Sequence, residues 1–295
     1  MKSYANIAIV KYWGKESINP VIPSTPSISL RLDKFFTETK IEKSNENVLF
    51  INDIKASDME LNRALNLVNK IVKLNFPIKI NSYNSMPTSA GLSSSSSAMS
   101  ALVLAVNEYF KLNLSINEMI NYAKEGSGSS CRSFYKIAGW YDDKVEEITT
   151  NLNLSMMVML VSSDKKEISS TRGMEICKNT ATNFNEWVEK GKKDYYKMKK
   201  ALLDNNFSEV GKIMEENTLF MHSTTLKSTP KFTYFKEETN IGIDIVRKIR
   251  EKGLECYFTI DAGPNIKVLY EKENEEKIYK ELMKLWNKEI ILCNN

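Results

Sequence analysis

Histidine is nearly absent: the 295 residues contain one, His222. No GxSxG stretch supplies a nucleophile on a sharp turn, so a Ser-His-Asp hydrolase is disfavoured. His222, in Phe220-Met221-His222-Ser223-Thr224, reads as structural. Cysteine is sparse as well. Cys131, Cys177, Cys256 and Cys293 are scattered and form no CxxC pair, which disfavours a zinc site or a disulfide framework and fits a reducing cytoplasm. No apolar run approaches the ~20 residues of a membrane span. The stretch Met1-Lys2-Ser3-Tyr4-Ala5-Asn6 lacks the apolar core of a secretory signal, so a cytoplasmic protein with no membrane partner is expected. An excess of one charge is also missing. Forty-one Lys and Arg face 37 Asp and Glu, a net +4 that gives no ground for a nucleic-acid partner. The Lys-rich stretch from Lys190 to Lys200 is interleaved with Asp194, Tyr195 and Tyr196 and reads as a solvated helix face. No GxxxxGK[ST] phosphate loop occurs anywhere.

What is present is enough chain for two modest domains or one large one. Residues 5–10, 28–32, 36–42, 47–51 and 78–82 carry the alternating or β-branched pattern of strands. Helical stripes run over 58–74, 94–111, 115–125 and about 129–138. A new pattern begins near 155: a strand at 156–161, helices at 173–189, 193–204, 207–220 and 239–252, strands at 256–260 and 266–270, a helix at 274–286 and a strand at 289–293. This predicts two α+β units, residues 1–154 and 155–295.

Four segments carry chemistry. Asp261-Ala262-Gly263-Pro264-Asn265 places a carboxylate at the end of the apolar run 256–260, just before a tight turn. Such positions present side chains to ligands, and they also merely cap turns. Pro87-Thr88-Ser89-Ala90-Gly91-Leu92-Ser93-Ser94-Ser95 is a small-residue loop feeding a helix. Free backbone N–H groups and the positive end of the helix dipole suit a phosphate there, while an ordinary Ser cap is the plainer reading. Gly126-Ser127-Gly128-Ser129-Ser130-Cys131-Arg132-Ser133 repeats that physics and adds an Arg fork able to grip a carboxylate or phosphate, or to sit on the surface. In Asn6–Lys15, Lys11 and Lys15 are candidate anion contacts and Tyr12 a hydroxyl donor. Trp13 could cover the apolar part of a ligand, although Tyr12 and Trp13 also read as core.

Taken together, NIAxxKYWGK, PTxxGLxSS, GSxxxCRS and DAGPN, in this order, resemble the GHMP superfamily of small-molecule kinases and, within it, the mevalonate diphosphate decarboxylase family. Weaker likenesses include Ile168–Met174 and Met221–Thr224. The run Gly91-Leu92-Ser93-Ser94-Ser95-Ser96-Ser97 departs from the family, which usually has Ala around the Ser pair. The resemblance implies a GHMP kinase-type two-domain α+β fold. Its N-terminal α/β domain is of the ribosomal-protein-S5 type with a left-handed βαβ element, its C-terminal domain is ferredoxin-like, and the site lies in the cleft between them.

The resemblance also implies ATP- and Mg²⁺-dependent decarboxylation of (R)-5-diphosphomevalonate to isopentenyl diphosphate, ADP, phosphate and carbon dioxide. Phosphorylating the tertiary 3-hydroxyl would make it a leaving group. Asp261 would orient that hydroxyl or take its proton, Lys11 would set the charge of Asp261, and Arg132 would hold the carboxylate that is lost. Tyr12, Trp13, Lys15, Ser127, Gly128, Ser129, Ser170 and Arg172 would complete the substrate site. Pro87, Ser89, Gly91, Leu92, Ser94 and Ser95 would hold ATP, with the metal carried largely on phosphate oxygens and water. A homodimer is left open. The rival readings are a relative that stops at phosphoryl transfer or takes a monophosphate, and a phosphometabolite-binding module on an inactive kinase fold.

Overall fold

A computed structural model describes residues 1–18, 20–86, 94–164 and 166–294, with Ser94 described by its backbone alone. The chain opens with β1 (Lys2–Val10), the short hairpin β2 (Lys15–Ile18) and β3 (Val21–Pro23), and β4 (Ser27–Lys43). The periodicity predicts two strands over 28–42, but β4 is continuous. Its pairing with β1 jumps from Tyr4↔Phe36 to Ala5↔Leu32, so the polar Asp33-Lys34 step is absorbed as a bulge rather than a turn. Then follow β5 (Val48–Ile51), β6 (Ile54–Lys55), α1 (Asp58–Ile71), β7 (Ile78–Asn84), α2 (Ser94–Phe110) and α3 (Ile116–Gly126). Ser57 and Glu60 form a capping box that fixes where α1 begins. β5 and β7 are parallel, and α1 supplies the crossover that such a pair requires.

The helix expected over 129–138 is instead a 3-10 turn, Gly128–Phe134, followed by β8 (Ile137–Tyr141) and β9 (Lys144–Glu147). Ile137–Trp140 is drawn into the sheet by pairing with Ser27–Leu30 of β4. The first sheet thus runs β6-β5-β7-β4-β8-β9, with β1 also on β4. Helices α1, α2 and α3 cover it with a core that includes Leu67, Val68, Ile80, Leu102, Val106 and Ala123.

β10 (Leu154–Met159) starts the second sheet. After it come α4 (Ser170–Thr180), α5 (Phe184–Leu203), α6 (Phe207–Leu226), α7 (Glu237–Glu251), β11 (Tyr257–Ile260), β12 (Ile266–Glu271), α8 (Glu275–Leu285) and β13 (Ile290–Leu292). The stripe read as one helix over 173–189 breaks at residues 181–183. Phe184 turns there into an apolar cluster with Trp13 and Trp187, and α5 then runs unbroken through Gly191. The sheet order β11-β12-β10-β13, antiparallel throughout, is the ferredoxin-like arrangement. A shared core joins Ile7, Ile9 and Leu30 of the first sheet to Tyr195, Met198, Met214, Met156 and Leu269 of the second half. α5 and α6 therefore hold the end of β1 against the end of β11. No helix among the described residues is long and apolar enough to cross a membrane.

Candidate active site

β11 is buried along its whole length and delivers Asp261 at its end. The backbone then reverses, with Gly263 N–H donating to Asp261 C=O at 2.8 Å. Asn265 ties this turn to the loop after β10. Its Oδ1 accepts from Val161 N–H (2.8 Å) and Ser162 N–H (3.0 Å), and its Nδ2 donates to Ser162 C=O (3.0 Å). Across the cleft, Lys11 follows directly on the end of β1, and its backbone N–H donates to Asn217 Oδ1 at 2.8 Å. Asn217 is fixed in turn by Asp194 of α5 at 2.8 Å.

The two chain segments meet through charge. Lys11 Nζ lies 2.6 Å from Asp261 Oδ1 and also donates to Ala8 C=O at 2.9 Å. Lys267 of β12 brings a second ammonium to 3.5 Å from Asp261 Oδ2. Both lysines are almost fully enclosed, at 2% and 1% exposure, while Asp261 is 24% exposed. Burial lowers the Lys11 pKa, and Asp261 opposes that shift. Burial acts on Asp261 in the raising direction, but Lys11 and Lys267 together outweigh it and hold the carboxyl well below the usual range. Asp261 is an ionised carboxylate facing an excess of positive charge. Lys166 adds to that excess. Its Nζ donates to Ala262 C=O (2.9 Å) and Ser170 Oγ (3.0 Å), and burial lowers its pKa.

Arg132 is buried at 3% exposure in the 3-10 turn. Its partners are neutral: Ser29 Oγ at 3.2 Å and Ser27 Oγ at 2.7 Å, both from β4. Its guanidinium lies 5.7 Å from the Tyr12 ring and 5.9 Å from the Trp140 ring. No carboxylate among the described residues pairs with it. The Tyr12 hydroxyl is buried and makes no hydrogen bond, and burial raises its pKa. Gly128 explains its own presence here, since a Cβ at that position would sit 2.7 Å from the Tyr12 hydroxyl.

These groups line one cavity of about 950 Å³, the size of a small-molecule site. It brings together Asp261, Lys11, Arg132, Tyr12, Lys15, Ser127, Gly128, Ser129, Ser170 and Ser95. Trp13 reaches its wall but is chiefly core, at 2% exposure, with its indole N–H donating to Thr224 Oγ1 at 3.1 Å. Arg172 is not brought in. It is 62% exposed and pairs with Glu175 at 2.7 Å on the outside of α4, because Ser169 caps that helix and starts it one turn ahead of Gly173. Pro87, Ser89, Gly91 and Leu92 lie outside the described residues, as does the Ser94 side chain.

His222 is buried, with Nε2 3.2 Å from Ile260 C=O, and burial pushes its pKa down to about 3. It is neutral and structural, as the sequence suggests. Sequence reasoning missed Lys267 and Lys166. Lys267 carries a readable signal, a single charge inside the apolar run Ile266-Lys267-Val268-Leu269-Tyr270. Lys166 sits in an ordinary polar loop and carries none.

Comparison with known proteins agrees with this geometry. Residues 3–149 match the diphosphomevalonate decarboxylase-like N-terminal domain, and residues 156–292 match the mevalonate 5-diphosphate decarboxylase C-terminal domain. The diphosphomevalonate decarboxylase of Saccharomyces cerevisiae is 30% identical over 95% of this chain and 80% of its own. Mevalonate pyrophosphate decarboxylase from Streptococcus pyogenes is similar in structure, with a TM-score of 0.93 and 39% identity over 99% of this chain and 94% of its own. So is MDDEF in complex with MVAPP, AMPPCP and magnesium, with a TM-score of 0.91 and 35% identity over 100% of this chain and 98% of its own. On these matches, which together span both halves, the chain belongs to the mevalonate diphosphate decarboxylase family.

Proposed function

We propose that this chain uses ATP and Mg²⁺ to decarboxylate (R)-5-diphosphomevalonate, giving isopentenyl diphosphate, ADP, phosphate and carbon dioxide. The observation that carries the reading is one cavity holding an ionised Asp261 beside Lys11 and, separately, a buried Arg132 that no carboxylate among the described residues pairs with. A phosphoryl-transfer site needs the first arrangement. A site that also releases a carboxylate has use for the second.

The residues divide the work. Asp261 orients the 3-hydroxyl and takes its proton as the oxygen–phosphorus bond to the γ-phosphoryl forms and the bond to ADP breaks. The carbon–oxygen bond then breaks with its electron pair on the departing phosphate. The pair from the carbon–carboxylate bond becomes the alkene, and carbon dioxide leaves. Arg132 holds the carboxylate in line for that step. Tyr12, Ser127 and Ser129, with Lys15 and Ser170 at the rim, bind the diphosphate.

The described residues contain no cluster of three metal-ligating side chains. The exposed Ser95 hydroxyl at the start of α2 lines the cavity and would be the protein oxygen nearest a hard cation, which would otherwise be held by phosphate oxygens and water. Mg²⁺ neutralises phosphate charge when bound.

We divide the chain between residues 154 and 155, at the start of β10. The N-terminal part carries the nucleotide loop and Arg132, and the C-terminal part carries Asp261. Four free, buried thiols favour a cytoplasmic setting. The test is substrate choice: kcat/KM for carbon dioxide release, with Mg²⁺ and ATP, should favour diphosphomevalonate over phosphomevalonate by 10-fold or more, about 1.4 kcal/mol. An equal or reversed preference would move the reading to a monophosphate decarboxylase.

A further inference from the structure

Lys267 sits in β12, an inner strand of the four-stranded second sheet, paired with Thr259 of β11 and Val158 of β10. Its neighbours along β12, Ile266, Val268, Leu269 and Tyr270, are all fully buried. A charge at such a place is expensive unless it is paired. Methionine would fill the same space without that cost. The ammonium has two partners: Asn265 C=O at 3.2 Å, and Asp261 Oδ2 at 3.5 Å, the one carboxylate within ion-pair reach among the described residues.

Asp261 shows the matching need. Lys11 takes its Oδ1, while its Oδ2 is buried and accepts no hydrogen bond from the described residues. Lys267 therefore stands at the oxygen that Lys11 leaves uncovered, approaching from the opposite domain. Lys11 directly follows β1 of the first sheet, and Lys267 is carried by β12 of the second.

We infer that Lys267 is a positioning residue for Asp261, closing a two-sided cationic grip that fixes the plane of the carboxylate and keeps it ionised when the anionic substrates enter. The inference rests on the decarboxylase reading of the same cavity. Once Asp261 has taken the hydroxyl proton, the grip leaves two ammonium groups beside the new 3-phosphate. Their charge favours the bond being formed and then the phosphate as it leaves.

Lys267 acts through Asp261, so the test is a cycle of variants rather than one substitution. Single-turnover carbon dioxide release and direct binding of diphosphomevalonate would be measured for wild type, Lys267→Met, Asp261→Asn and the double variant, with a melting curve for each. Turnover by the wild type tests the decarboxylase reading independently. The inference predicts that Lys267→Met slows the step by about 10- to 100-fold, a rate change equivalent to about 1.4–2.7 kcal/mol in the barrier. Binding should stay within about threefold, because the diphosphate contacts lie elsewhere. In the Asp261→Asn background the same change should cost less than about twofold, since the group it positions is already gone. Lys267→Arg should recover part of the loss by restoring the cation. If Lys267→Met does not fold, Lys267→Gln takes its place with the same expected pattern. A wild-type rate in Lys267→Met would overturn the inference. So would an equal fold-loss in both backgrounds, which is what a purely structural lysine would give.

Discussion

Replacing Asp261 with Asn keeps the shape of the side chain and removes its charge. Lys11 Nζ, 2.6 Å away and 2% exposed, then loses its counter-ion, as does Lys267. At an effective dielectric of about 20, a pair at 2.6 Å attracts by roughly 6 kcal/mol before desolvation is subtracted. Breaking an enclosed pair typically costs about 3–5 kcal/mol net. Asp261 is 24% exposed to the cleft, and the Lys11 pKa is already lowered by burial, so the lysine can shed its proton instead of remaining charged. A cost at or below the lower end of that range is expected, about 3 kcal/mol or less. Catalysis should suffer more. The amide cannot accept the hydroxyl proton, and kcat should fall by about 10²–10⁴-fold. The dissociation constant of diphosphomevalonate should move only a few-fold, since in the proposed mechanism Asp261 meets the hydroxyl and not the diphosphate. Quench-flow measurement of carbon dioxide, calorimetric binding and a melting curve separate these effects. A kcat within threefold of wild type would remove Asp261 from the chemistry and refute the reasoning.

Arg132→Lys keeps a charge but loses the fork held by Ser27 and Ser29. Steady-state kinetics should show carbon dioxide release slowed by roughly 10- to 150-fold, the equivalent of about 1.5–3 kcal/mol for a charged hydrogen bond. Unchanged kinetics would make Arg132 a structural cation. Ser127→Ala with Ser129→Ala should weaken diphosphomevalonate by about 0.5–1.5 kcal/mol per hydrogen bond and leave ATP nearly untouched, whereas Ser95→Ala should do the reverse. Equal weakening of both ligands in both variants would end that division. Gly128→Ala would push its Cβ to 2.7 Å from the Tyr12 hydroxyl, so it should raise the KM for diphosphomevalonate without moving that for ATP. His222 gives a pH signature. Its folded pKa, about 3, lies below the ordinary 6.5, so below pH 6.5 the unfolded chain takes up the proton and stability is lost as pH falls towards 3. The slope is about 1.4 kcal/mol per pH unit per proton. The stability gap between wild type and His222→Gln should therefore shrink or reverse between pH 6.5 and 4, and a gap independent of pH would contradict a neutral buried imidazole.

Much of this site is legible in the sequence because its parts lie at element ends. Asp261 follows an apolar run and precedes Gly263-Pro264, and Lys11 follows another apolar run, so each announces a strand terminus. From α6 onward the elements read well because their periodicities are strong and uninterrupted. What failed was decided by tertiary pairing. Asp33-Lys34 looks like a turn but becomes a bulge, because β1 continues past it on the other side. Ile137 and Ala138 look like the tail of a helix until β4 offers them partners. The helix break at residues 181–183 reflects Phe184 finding Trp13, more than 170 positions away. Arg172 belonged to a motif, but helix phase turned it outward. Lys267 was visible as a charge in an apolar strand, yet its meaning needs the position of Asp261 across the β11–β12 turn.

The most direct test of the central claim is product stoichiometry. With diphosphomevalonate labelled in the carboxylate, ATP and Mg²⁺, the account predicts carbon dioxide, ADP and phosphate released in equal amounts, together with isopentenyl diphosphate. ADP formed without carbon dioxide, with a stable phosphorylated acid left behind, would contradict it.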